Sequence, residues 1–158
     1  MGTDPGDDLR WPGRMIAVDT NILVYSHRED SSFHEPAFAS IKKLAESDTL
    51  WAIPWPAIHE FLAIVTHPRI YSPPTPIEDA LLQVESWTAC PTLSLIGEAG
   101  EIYFQYLSRL ARASRASGAR VHDVRIASIC LIHGVDELLT ADRDFSRYPG
   151  LKVRNPLL

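Results

Sequence analysis

Short apolar runs alternate along this chain with segments of helical period, which restricts the fold to strands linked by helices. Met15–Val18 reads as a buried strand, and further strands are expected at residues 50–53, 92–96, 137–140 and 151–153. Between them lie helical patterns. One opens at Asn21, and a second spans residues 33–47 with apolar positions at Phe33, Ala37, Phe38, Ile41, Leu44 and Ala45. A third runs from Pro56 to about Thr66, where Pro68 stops it, and Thr75-Pro76-Ile77-Glu78 reads as a capping box opening a fourth, to about Trp87. Residues 98–114 form a longer amphipathic helix with Ile102, Tyr103, Tyr106, Leu107 and Leu110 on one side, ended near Ser117-Gly118. The last helix, residues 121–133, is closed by Gly134. Strands separated by helices pair in parallel, so the expected class is α/β, with a central, mainly parallel sheet of four to five strands flanked by helices.

Four acids stand at the ends of these elements. Asp19 ends the first apolar run, and Asp142 follows the run at residues 137–141. Glu60 and Asp123 fall in the expected first turns of two strongly apolar helices. Each has a bland explanation: Asp19 and Asp123 as helix caps, Glu60 as an acid facing a helix dipole, Asp142-Arg143-Asp144 as a solvent-facing turn. Caps alone do not require acids, since Ser or Thr serves equally well. Open α/β sheets bind ligands beyond the carboxyl ends of their strands, where Asp19 and Asp142 are expected. Carboxylates beside buried segments are costly unless paired, hydrogen-bonded or bound to a cation. A site assembled by folding around a hard divalent metal answers that cost.

Composition narrows the classes. The 158 residues suit one domain, and the two cysteines, Cys90 and Cys130, have no metal-ligand spacing and form no disulfide framework, so a cytoplasmic setting is expected. No apolar stretch approaches the roughly 20 residues that span a bilayer, so no membrane association is expected. Residues 1–14, polar and rich in Pro and Gly, read as a flexible leader or tag, with Met15 a possible natural start. The net charge of -5 is not that of a general nucleic-acid binder. It is uneven, however: six Lys and Arg face twelve Asp and Glu up to residue 79, against nine and eight beyond. Arg109, Arg112 and Arg115 recur at a spacing of three and read as a solvated helix face, with a phosphate-binding ridge as the alternative. His59 and His122 each precede a site acid. Neighbours on a helix point roughly 100° apart, so both histidines are read as packing or surface residues. Trp51, Trp55 and Trp87 are read as core or interface anchors.

The segments Ile16-Ala17-Val18-Asp19-Thr20-Asn21-Ile22-Leu23, Ile58-His59-Glu60-Phe61, Val121-His122-Asp123-Val124-Arg125-Ile126-Ala127 and Leu138-Leu139-Thr140-Ala141-Asp142-Arg143-Asp144-Phe145 together resemble the PIN-domain nucleases, and more narrowly the VapC-type toxins of toxin–antitoxin pairs. The resemblance runs in order from Met15 to the C-terminus, making residues 15–158 a single three-layer PIN-like domain. It implies Asp19, Glu60, Asp123 and Asp142 as catalytic metal ligands, with Asp144 as a further acid that joins the shell in some members. Thr20, Asn21 and Thr140 match positions that orient those carboxylates. Oxygen ligands with no Cys or His cluster favour Mg²⁺, with Mn²⁺ as the alternative, and one ion or two fit equally. The implied activity is endoribonuclease cleavage leaving a 5′-phosphate. The implied partners are an RNA substrate, a cognate antitoxin and a second copy in a homodimer. An inactive PIN-fold binding module and a general RNA-processing nuclease are the other readings. A phosphatase that begins with a strand-end aspartate fits poorly, because Asn21 stands where a second aspartate is needed.

Overall fold

The computed structural model describes residues 14–158. Five strands, β1 (Met15–Val18), β2 (Leu50–Pro54), β3 (Leu93–Ile96), β4 (Glu137–Leu139) and β5 (Lys152–Arg154), form one sheet in the order β3-β2-β1-β4-β5. Every pairing is parallel. The crossovers carry α1 (Thr20–His27), α2 (His34–Ala45), α3 (Trp55–Val65), α4 (Ile77–Thr88), α5 (Gly100–Ser114) and α6 (Arg120–Ile132), and a 3₁₀ turn (Arg143–Arg147) links β4 to β5. The α/β class, the parallel sheet and the flanking helices are as expected.

Alternation along the strands sends side chains to two cores. Ile16 and Val18 of β1, with Trp51 and Ile53 of β2, join α1–α4 on one face, where Phe61 and Trp87 meet edge-on with ring centroids 4.9 Å apart. Ala17 and Ala52, directly paired in register, face the other side with Leu138 and the apolar run Ile126–Cys130 of α6. Two adjacent alanines let α6 lie close on the sheet, so its middle is wholly buried and its N-terminal turn is carried to the sheet's carboxyl edge. No helix among the described residues is long and apolar enough to cross a membrane.

Several local expectations need correction. Thr75 makes no capping box: α4 begins at Ile77, Pro76 occupies the cap without a side-chain bond, and the Thr75 hydroxyl lies 3.1 Å from His27 Nε2 and 3.2 Å from Arg28 Nη1. Part-buried partners at the C-terminal end of α1 have captured the residue that local sequence assigns to the helix start. Glu60 sits in the second turn of α3, because that helix begins at Trp55, immediately after β2. α5 ends at Ser114; Arg115 caps it in the left-handed conformation (φ 52°) and leaves the helical row of Arg109 and Arg112. On α5, Ile102 is exposed and only Leu110 is fully buried. As expected, Trp51 and Trp87 are core residues; Trp55 is exposed. Of the leader, residues 1–13 lie outside the described residues; Arg14 places Nη2 3.2 Å from Glu137 of β4.

Candidate active site

The strand order turns at β1: the chain moves outward through β2 and β3, then returns to the other side of β1 as β4. The crevice at the carboxyl ends of β1 and β4 is therefore the switch point at which such sheets take ligands. The backbone N–H of Asp19 donates to the Leu139 carbonyl at 2.9 Å, fixing these two ends against each other. Asp19 also caps α1, its Oδ1 accepting from Thr20 N at 2.8 Å. The capping reading is thus correct, and the same carboxylate faces the crevice.

A hydrogen-bonded chain fixes the acids in place. Thr140 Oγ1 donates to Asp19 Oδ2 at 2.7 Å and accepts from the Asp142 backbone N–H at 3.0 Å. Thr20 Oγ1 donates to Glu60 Oε2 at 2.7 Å, tying α3 to the start of α1. Asn21 Oδ1 accepts from Ala141 N at 3.2 Å, holding the β4 exit loop. Asp142 Oδ1 accepts from Asp144 N at 2.9 Å, which caps the 3₁₀ turn and swings Asp144 toward its neighbours. Carboxylate oxygens of Asp123, Asp142 and Asp144 lie within 4.8 Å of one another.

A cavity of about 240 Å³ opens here, lined by Asp19, Thr20, Glu60, His122, Asp123 and Asp142, over apolar walls that include Ile126 and Phe145. Among the described residues its lining contains no Lys or Arg. Arg147 lies beside Asp144 at 3.3 Å, an exposed ion pair between two members of the 3₁₀ turn. Burial pushes the Asp19 carboxyl up to about 6 from the ordinary 3.8, against its bonds from Thr140 and Thr20, and the charges of Glu60 and Asp123 add to the rise. Burial also raises Asp123, followed by the neighbouring charges of Asp142, Asp144 and Glu60, while His122 opposes the rise. Carboxylates crowded into a recess with no cationic lining are suited to a bound cation, and an oxygen-only set with a single imidazole suits a hard ion rather than zinc.

The four acids singled out in the sequence thus line one cavity, but they are not equivalent. Asp123, Asp142 and Asp144 form the close cluster, and Asp19 and Glu60 flank it through their threonine partners. Asp144 is more central than its sequence position suggests, because the 3₁₀ turn folds it back. His122 is an exposed residue, as read, and also lines the cavity, since it lies in the first turn of α6 at the cavity mouth. His59 is exposed and packs toward Trp55, with ring centroids 6.4 Å apart.

Comparison with known proteins decides the family. The family model described as the PIN domain matches residues 16–151. The chain belongs to the PIN-domain family. Among PIN-domain relatives, the VapC ribonuclease Mb2897 of Mycobacterium bovis is 32% identical over 143 residues, covering 90% of this chain and 96% of that protein. Ribonuclease VapC48 of Mycobacterium tuberculosis is 28% identical over 138 residues, covering 87% and 94%. The PIN fold itself aligns with the structure of VapBC2 from Rickettsia felis bound to a promoter DNA fragment, at a TM-score of 0.65 and 19% identity over 89% of this chain and 98% of that one.

Proposed function

We propose that this PIN domain is a divalent-metal-dependent endoribonuclease and the toxin component of a toxin–antitoxin pair. The observation that carries the reading is the convergence of Asp123, Asp142 and Asp144 within 4.8 Å at the mouth of a cavity also lined by Asp19 and Glu60. The ribonuclease activity is taken from the relatives' names, and the charge pattern of the cavity agrees with it. Asp123, Asp142 and Asp19 are assigned as principal ligands of Mg²⁺ or Mn²⁺, with Glu60 and Asp144 completing the shell. When bound, the ion supplies charge stabilisation to the attacked phosphodiester and a better water nucleophile.

The chain's own residues do the positioning. Thr140 and Thr20 hold the Asp19 carboxylate by both oxygens, and Thr20 also anchors Glu60, so the acids need little reorganisation on binding. Glu60, exposed on α3 and lining the cavity, is assigned the role of accepting a proton from the attacking water. The partners assigned are an RNA substrate, a cognate antitoxin and a second copy of the chain in a homodimer, within the cytoplasm. Exposed apolar side chains on α4 (Ile77, Leu81 and Leu82) and α5 (Ile102 and Phe104) offer surface for protein contacts.

The test is end-mapping of cellular RNA after brief induction, together with growth measurement with and without the neighbouring small gene product. Growth arrest, new 5′-phosphate ends and rescue by that product are expected. Intact RNA and unimpaired growth at confirmed expression contradict the reading.

A further inference from the structure

A second recess shares a wall with the acidic cavity. It lies between the 3₁₀ turn and the end of β5, has a volume of about 290 Å³, and is lined by Ala141, Asp142, Arg143, Ser146, Val153 and Asn155, among others. Asp142 belongs to both cavities. Anything bound in the recess therefore lies directly beside the carboxylate cluster. Its size is at the small end of the clefts that enclose small ligands.

The polar groups in this recess have unused capacity of a particular kind. Arg143 forms no ion pair among the described residues, unlike Arg147 one turn later, which is beside Asp144. Asn155 Oδ1 accepts from Leu157 N at 3.0 Å, which fixes the side chain and leaves its amide N–H₂ to donate. Ser146 Oγ donates to the Arg143 carbonyl at 2.8 Å, so it meets a ligand as an acceptor. Val153 and Ala141 supply apolar wall. Two donors, Arg143 and Asn155, and one acceptor, Ser146, line the same recess and together complement a flat group with a carbonyl oxygen beside an N–H.

We propose that this recess holds the base of one single-stranded nucleotide adjoining the scissile phosphate, and that Arg143 and Asn155 select the keto bases guanine and uracil over adenine and cytosine. The proposal rests on the nuclease reading above and deepens it. Proteins read single-stranded RNA by stacking and by hydrogen bonds to exposed base edges, and arginine paired to a keto oxygen is a frequent contact. Phosphate contacts alone carry no sequence information, so a base recess beside the acids is where local specificity can arise.

Two experiments separate this proposal from the nuclease reading. In metal-free buffer, the four nucleoside 5′-monophosphates are titrated into the whole protein and followed by NMR. GMP and UMP are expected to shift the Arg143, Ser146 and Asn155 resonances and to bind at least roughly fivefold more tightly than AMP and CMP. Shifts confined elsewhere, or equal affinity for all four, overturn the proposal whether or not the protein cleaves RNA. In the second, a randomised single-stranded RNA pool is digested with Mg²⁺ and the ends are sequenced. Wild type should prefer guanine or uracil at one position beside the cut, Arg143→Ala should flatten that preference, and Asn155→Asp, which keeps the acceptor for Leu157 N but removes the amide donors, should shift it from uracil toward guanine, whose amino N–H₂ the new carboxylate accepts. An unchanged preference in both variants overturns the proposal. Absence of cleavage with selective nucleotide binding intact counts against the nuclease reading and leaves the recess standing.

Discussion

Thr140 Oγ1 donates to Asp19 Oδ2 at 2.7 Å, joining the carboxyl ends of two adjacent parallel strands through the acid that caps α1. Thr140 is almost wholly buried, and its hydroxyl also accepts the Asp142 N–H. Thr140→Val leaves a buried carboxylate oxygen and a backbone donor without their partner. The expected loss of stability is about 1–3 kcal/mol, read from urea unfolding. Metal affinity should fall by roughly 10–100-fold through misorientation of Asp19 and Asp142, measured by Mn²⁺ calorimetry.

Asp19 gives the pH dependence of the metal-free protein a definite sign. Its folded pKa, about 6, lies above the ordinary 3.8, so in the interval between them the folded state binds more protons than the unfolded one. Stability therefore falls as pH rises from about 4 through about 6 and is level for this group beyond; at about 1.4 kcal/mol per pH unit the whole change is about 3 kcal/mol. Unfolding free energies across this range should descend less steeply in Asp19→Asn than in wild type. A slope identical in the two proteins contradicts the assignment.

Protons and metal compete for the same oxygens. Mn²⁺ affinity should weaken as pH drops through 6, approaching tenfold per unit for the Asp19 proton alone, and Asp123, raised in the same direction, steepens the fall. Calorimetry at pH 5, 6 and 7 in matched ionic strength measures it.

The three close carboxylates differ in their surroundings. Asp123 is flanked by acids, whereas Asp144 is half-exposed and lies beside Arg147. Asp123→Asn should therefore stabilise the metal-free fold, by removing like-charge crowding, while abolishing cleavage. Asp144→Asn should reduce Mn²⁺ affinity and RNA cleavage by a smaller factor than Asp123→Asn does. Thermal melts and initial rates on one RNA distinguish the two variants.

Much of this site is legible in the sequence, for physical reasons that can be named. Asp19, Thr20, Asn21, Thr140 and Asp142 cluster because parallel neighbours bring their carboxyl ends together, and the apolar runs before them mark those ends. The position of Glu60 near the cavity is legible but its turn of the helix is not, because Pro54 ends β2 and the helix begins at once with Trp55. The place of Asp144 in the close cluster is less legible, since the Asp142 cap that folds it back is a local hydrogen bond without helical or strand periodicity. His122 is legible as a surface residue but not as cavity lining, because at a helix start facing an open cavity two successive residues can both line it. Thr75 departs from its local signal because tertiary partners, His27 and Arg28, outcompete a local cap. The recess at Arg143 and Asn155 has no sequence signal, being made by a turn and a strand end that meet only in the fold.

The most direct test is the initial rate of cleavage of a single-stranded RNA with no metal, with Mg²⁺ and with Mn²⁺, for wild type and Asp123→Asn. Wild-type cleavage that needs the ion, stops in EDTA, returns when the ion is restored and is lost in Asp123→Asn is the predicted result. Cleavage that persists in EDTA, or that Asp123→Asn retains at the wild-type rate, contradicts the metal-centred account.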